Sequence, residues 1–170
     1  RFIRETGAVD DYFTIIKSNA PPAAGNLAFA VQADSATNLT LSASDPNGDP
    51  LTFATNSLPT HGLISNFNPV SGSFTYIPAH GFSGADAFTF SVSDSQTNSA
   101  GASADLAIAP LVDSNFNGIP DVWEALYGIS NPNADDDGDG ASNGQEYLAN
   151  TNPTNAASAI RIASVSVNGG

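Results

Sequence analysis

The chain contains no cysteine, which excludes disulfides, thiolate metal sites and cysteine nucleophiles. Positive charge is nearly missing as well. Against 17 Asp and Glu stand only Arg1, Arg4, Lys17 and Arg161, for a formal net charge of −13 at pH 7. A nucleic-acid binder that neutralises phosphates with Lys and Arg is thereby ruled out, and docking on an anionic membrane is disfavoured. No run of 18 apolar residues occurs, so membrane insertion is not expected. The only imidazoles are His61 and His80, and each precedes a glycine and reads as a turn residue. No Ser/His/Asp arrangement, carboxylate pair or phosphate-cradling glycine loop is evident, so a non-enzymatic protein is expected.

What remains is a 170-residue chain that is 41% hydrophobic, enough for one domain with a true core and a small appendage. It begins at Arg1 rather than Met, which predicts a processed product or a piece of something longer. Residues 1–20 read as a β arm, because residues 12–17 (YFTIIK) are β-prone and apolar on both faces until Pro21-Pro22 stops them. Residues 21–110 carry short β-type segments near 27–33, 37–44, 51–56, 62–67, 72–78, 86–93 and 102–109. Several alternate cleanly, as in Phe88, Phe90 and Val92. Seven such segments predict a mainly β fold, a sandwich of immunoglobulin-like type without the Cys–Trp–Cys hallmark.

Three stretches carry a more specific pattern: DPNGDPLTF at 45–53, PTHGLISNF at 59–67 and GSFTYIPAHGFSGADAFTFSVSD at 72–94. In that order, and closed by an ADLAIAP strand, they resemble bacterial cadherin-like and immunoglobulin-like tandem repeats. The resemblance implies a seven-stranded sandwich used as an extracellular building block, not a catalyst.

Beyond Pro110 the chain turns acidic, with eight carboxylates between Asp113 and Glu146 and no base to balance them. Such crowding opposes compaction unless cations intervene. The spacing matches a calcium loop, D-x-[DN]-x-[DN]-G-x5-E, twice. The first reading takes Asp113, Asn115, Asn117, the carbonyl of Ile119, Asp121 and Glu124. The second, 22 residues on, takes Asp135, Asp137, Asp139, the carbonyl of Ala141, Asn143 and Glu146. Calcium is a hard ion that takes about six to eight oxygens. Alternate positions supply them, the glycines Gly118 and Gly140 allow the sharp turn, and the longer Glu arm closes the loop. Asp136, at an intervening position, is expected to face solvent. Two Ca2+ ions would bring the combined formal charge of the seven ligand carboxylates from −7 to −3. Magnesium resists wrapping by so many protein oxygens, and zinc prefers nitrogen and sulfur.

Short helices are expected at 120–127 and 144–149, each after an acidic loop, with Trp123, Tyr127 and Tyr147 forming a small core between them. The 22-residue spacing leaves no room for the helix pairs of a sensor EF-hand. DSNFNGIPDVWEALYG and DDDGDGASNGQEYLANTNPTNA instead resemble the bacterial thrombospondin type-3 repeat, with dockerins as cousins. That resemblance implies that Asp113, Asn115, Asn117, Asp121 and Glu124 bind one ion, and Asp135, Asp137, Asp139, Asn143 and Glu146 the other.

The expected organisation is therefore an arm at 1–20, a sandwich at 21–110, a double calcium loop at 111–156 and a C-terminal strand at 157–170. Asp45, Asn47 and Asp49 read as a turn or, alternatively, as a third ion site, and Asn38-Leu39-Thr40 fits a glycosylation acceptor. The expected product is an extracellular structural protein stiffened by calcium. Its expected partners are copies of itself, joined head-to-tail by an arm strand, or neighbouring domains of a longer chain. The rival readings are a spacer in an adhesin or secreted enzyme, and a carbohydrate-binding module with a glycan as its partner.

Overall fold

The computed structural model describes residues 18–159. The expected arm up to Lys17 and the strand beyond Ala159 lie outside the described residues. Among the described residues there are nine strands: β1 (Ala23–Ala24), β2 (Leu27–Gln32), β3 (Thr37–Thr40), β4 (Ala43–Ser44), β5 (Thr52–Thr55), β6 (Gly62–Ser65), β7 (Ser73–Pro78), β8 (Gly84–Ser93) and β9 (Ala102–Ala109). Two helices follow, α1 (Asp121–Tyr127) and α2 (Asn143–Ala149), and then a 3-10 turn at Ala156–Ser158. No helix among the described residues is long and apolar enough to cross a membrane.

The strands form a four-stranded sheet in the order β2-β9-β8-β5, facing a three-stranded sheet in the order β3-β7-β6. A small β1-β4 ribbon completes the sandwich. All pairings are antiparallel except β2 with β9, which run parallel from Leu27 opposite Ala104 to Gln32 opposite Ala109. Alternation explains the core. On β8, Phe88, Phe90 and Val92 point inward and are at most 1% exposed, while Ala87 and Thr89 face solvent. Phe74 of β7 meets Phe88 edge-on, with ring centroids 5.3 Å apart.

One expected strand divides. Residues 37–44 were expected as a single strand, but β3 pairs with β7 while β4 leaves to pair with β1. The switch is hidden in the pattern, because Leu39 and the buried Leu41 keep the same inward phase through it. Where the chain crosses, the Leu41 amide donates to the Gly72 carbonyl at 2.9 Å. Gly72 sits at φ +70, and a Cβ there would lie 3.0 Å from the Leu41 carbonyl oxygen, so glycine fits this crossing best.

The helices pack on a second, smaller core of Ile119, Trp123, Ile129 and Tyr147. Trp123 contacts Tyr127 and Tyr147 edge-on, at 4.9 and 5.4 Å. With Trp123 and Tyr147 each 8% exposed, these rings are core and not an open platform.

Candidate metal centre

Each acidic loop feeds a helix of only seven residues. The second helix starts on a capping box, in which the Gln145 amide donates to Ser142 Oγ and the Ser142 amide donates to Gln145 Oε1. It ends at Asn150, left-handed at φ 54, and the first helix ends likewise at Gly128, φ 70. Helices this short are marginal alone, so their packing on the Ile119, Trp123, Ile129 and Tyr147 core and the contacts of their ends must hold them.

The loop at Asp135–Glu146 is folded by its own carboxylates. Asp135 accepts from the amides of Gly138 (2.7 Å) and Gly140 (3.0 Å). Asp137 Oδ1 accepts from Asp139 N at 3.1 Å, and Asp139 Oδ1 accepts from Ala141 N at 2.8 Å. Gly140 adopts φ +97, as the sharp turn requires. These bonds occupy one oxygen of Asp137 and of Asp139 and leave the other. Asp137 Oδ2, Asp139 Oδ2, Asn143 Oδ1 and Glu146 Oε2 are all buried without a hydrogen-bond partner. One oxygen each from Asp135, Asp137 and Asp139 lie within 4.8 Å of one another.

Two of these ligand candidates, Asn143 and Glu146, are 0% exposed. Asn143 donates through Nδ2 to the Asn131 carbonyl at 2.9 Å, which leaves its Oδ1 free. Burial, and then the fields of Asp137, Asp139 and Asp135, push the Glu146 carboxyl above its ordinary range, although Thr151 donates to it. Buried oxygens without donors are costly, and a divalent cation is the partner their chemistry asks for. The donor set is all oxygen, so it fits calcium. Asp136 is exposed.

The loop at Asp113–Glu124 is arranged differently. Glu124 accepts from Asn117 Nδ2 at 2.7 Å and from Asn115 Nδ2 at 3.2 Å. Asp113 accepts from the Asn117 and Gly118 amides, and Asn117 Oδ1 from the Ile119 amide at 2.8 Å. Asp121 accepts from the Ser114 hydroxyl and amide, which hold its carboxyl below the ordinary range. Among the described residues no buried side-chain oxygen of this loop is orphaned. The carbonyls of Ile119 and Ala141 are placed in the turns ahead of α1 and α2.

The Asp45 turn has turn geometry. Asp45 Oδ1 accepts from Asn47 N (2.7 Å) and Asp49 N (3.1 Å), and Asn47 Oδ1 ties the turn to the Ala20 amide at 2.6 Å. Asp45 Oδ2 nevertheless stays buried and unpartnered. Asn38 faces solvent on β3 and accepts from the Thr75 hydroxyl.

His80, read as a turn residue, does more than turn the chain. Its Nδ1 lies 3.1 Å from Asp34 Oδ1 in the β2–β3 turn, and its Nε2 lies 2.5 Å from the Tyr147 carbonyl on α2. No local signal marks this, because the three residues lie far apart in sequence. His61 stacks on Phe82, with centroids 4.2 Å apart.

Among known families, the bacterial TSP3 repeat matches residues 135–156 and the bacterial Ig domain matches residues 19–107. No curated protein matches the chain. Solved structures that resemble it include an endo-fucoidan hydrolase from glycoside hydrolase family 107, at 20% identity and a TM-score of 0.46, covering 67% of this chain and 17% of that one. Human protocadherin-24 EC1-2 shows 17% identity and a TM-score of 0.46 over 54% of this chain and 44% of its own. Titin domain M7 shows 18% identity and a TM-score of 0.31 over 55% and 98%. The chain thus spans well under two thirds of the hydrolase it resembles. Because the match at 19–107 takes in more than half of its residues, the chain belongs to the bacterial Ig domain family.

Proposed function

We propose that this chain is an extracellular, non-enzymatic structural unit whose helical module is ordered by two calcium ions. The second loop holds one ion through Asp135, Asp137, Asp139, the Ala141 carbonyl, Asn143 and Glu146. The first holds the other through Asp113, Asn115, Asn117, the Ile119 carbonyl, Asp121 and Glu124. The observation that carries this reading is the set of four buried oxygens without donors, on Asp137, Asp139, Asn143 and Glu146. The TSP3 match over 135–156 supports the same loop. When bound, calcium supplies charge neutralisation and a fixed oxygen cage. The chain's own part is to present those oxygens from Asx turns, to exclude water with Asn143 and Glu146, and to hold α2 by its capping box.

Such a unit works by being rigid between neighbours. Those neighbours are copies of the chain joined head-to-tail by strand addition into a surface filament, or consecutive domains of one long protein. Edge strands β2 and β5 of the larger sheet offer backbone groups for strand addition. Electron microscopy of the purified protein in calcium separates the two arrangements, with periodic fibres expected for the filament and single particles for the spacer. The calcium reading is tested by thermal melts followed through Trp123 fluorescence. Chelation with EGTA should lower the transition of the helical module, and a transition indifferent to EGTA would overturn the assignment.

A further inference from the structure

We infer that Tyr147 is a joint through which calcium at the second loop locks the helical module onto the sandwich, with His80 as the positioning residue on the sandwich side. The inference rests on the calcium reading of Asp135–Glu146 and goes past it, because it names how occupancy is felt outside the loop.

Helix α2 presents neighbouring residues to two different tasks. Glu146 is fully buried and keeps Oε2 unpartnered in the acidic loop. Tyr147, the next residue, offers its carbonyl to His80 Nε2 at 2.5 Å. Its ring meets the His80 ring at 5.0 Å and the Trp123 ring at 5.4 Å, both edge-on. One residue thus touches the sandwich through His80 and α1 through Trp123. On the far side His80 is anchored: Nδ1 lies 3.1 Å from Asp34 Oδ1, and the same oxygen accepts from the Gly81 amide at 2.7 Å.

Both partners of the imidazole, a carboxylate and a carbonyl, are acceptors only. Each bond is therefore made by a ring N–H turned toward its acceptor. The groups facing His80 are Asp34 from the β2–β3 turn, Tyr147 from α2 and, across the same cleft, Tyr127 from α1. The clip is a three-member bridge, Asp34–His80–Tyr147, linking parts of the chain that share little other polar contact among the described residues.

The coupling follows from the shortness of α2. A seven-residue helix does not hold its own position in water, so its register depends on what fixes its ends. Without an ion, Glu146 keeps a buried oxygen unpartnered in the field of Asp137, Asp139 and Asp135, and a shift of α2 that brings that oxygen to water relieves it. Tyr147 is covalently next, so its carbonyl moves with it and leaves His80. Linkage makes the effect reciprocal: whatever calcium does for the clip, the clip does for calcium, by the same factor.

Calorimetric titration of the full chain with Ca2+ alone tests this. His80→Ala and Asp34→Ala, neither of them a ligand, should weaken uptake at the second loop by about 5- to 20-fold, the lower part of the usual span of such coupling. His80→Gln, which keeps a donor toward the Tyr147 carbonyl, should recover part of the loss. A parent chain that takes up no calcium would overturn the calcium reading and the joint together. A parent chain that binds, with variants that bind equally well, would overturn the joint alone. A second measurement needs no variant at the joint. The chain has two histidines, so its ring-proton NMR spectrum holds two imidazoles, assigned through His61→Gln. The His80 signals should move with the midpoint of calcium uptake, and unmoved signals would overturn the inference.

Discussion

The hydroxyl of Tyr76 donates to the Asp86 carboxylate at 2.8 Å, in the interior of the sandwich. Tyr76 is 0% exposed and Asp86 8%. Asp86 also accepts from the Thr60 and His61 amides, each at 2.9 Å, and so fastens the loop before β6 to β8. Burial pushes the Asp86 carboxyl up, but the bonds from Thr60, Tyr76, His61 and Ala87 together outweigh it and hold the group below its ordinary range. Burial and the same bond push the Tyr76 hydroxyl far up.

Removing either partner leaves buried donors or acceptors unpaired. Asp86→Ala takes the acceptor from three backbone amides and a hydroxyl, and should cost about 3 kcal/mol of sandwich stability, whereas Tyr76→Phe should cost about 1–2 kcal/mol. Urea unfolding in calcium measures both. Equal stability of Asp86→Ala and the parent chain would show that the network carries no net weight.

The sandwich should be acid-labile in a defined window. Asp86 is lowered in the fold, and so is Asp94, which the Thr97 amide and then the Asn19 side chain hold down. A lowered carboxyl stabilises the fold fully above its unfolded value, near 3.9, and loses that contribution as pH falls through the folded value. Melting temperatures of the sandwich should hold level from pH 7 to pH 5 and fall below about pH 4.

Gly62 of β6 lies against the Tyr76 ring, where a Cβ would stand 2.5 Å from Cζ and the hydroxyl. The ring is fully enclosed and tied to Asp86, so it cannot swing clear. Gly62→Ala should destabilise by about 2 kcal/mol. In the Tyr76→Phe background the penalty should shrink, because the freed ring can shift, and a double-mutant cycle reads the difference.

The two acidic loops should fill in order. The second brings four carboxylates and buried oxygens without donors, whereas in the first Glu124 already accepts from Asn115 and Asn117. Binding at the first loop must displace those amides. Calcium titration should resolve two steps about tenfold or more apart, given that affinity follows ligand charge and rigidity. Glu146→Gln should remove the tighter step, and Glu124→Gln the weaker.

Much of this architecture is written in local pattern. Strict alternation on β7, β8 and β9 announces the core, and the spacing of Asp135, Asp137, Asp139 and Glu146 announces the loop. Asp86 was legible too, though it went unread: it shares inward parity with Phe88, Phe90 and Val92, an arrangement that buries a carboxylate and demands donors for it. The strand break after Thr40 was not, because the alternation runs on through Leu41 while the hydrogen bonds change sheets. Nor was the Asp34–His80–Tyr147 bridge. Each of its members obeys its local rule, as turn or helix residue, and only the folded chain brings them together.

Parallel pairing of β2 with β9 carries a mechanical consequence. The backbone enters the larger sheet at Leu27 and leaves it at Ala109, so the two ends of the domain exit from opposite poles. Tension applied between the ends loads the ladder from Leu27 to Gln32 in shear, where its bonds must yield together and cannot unzip one by one.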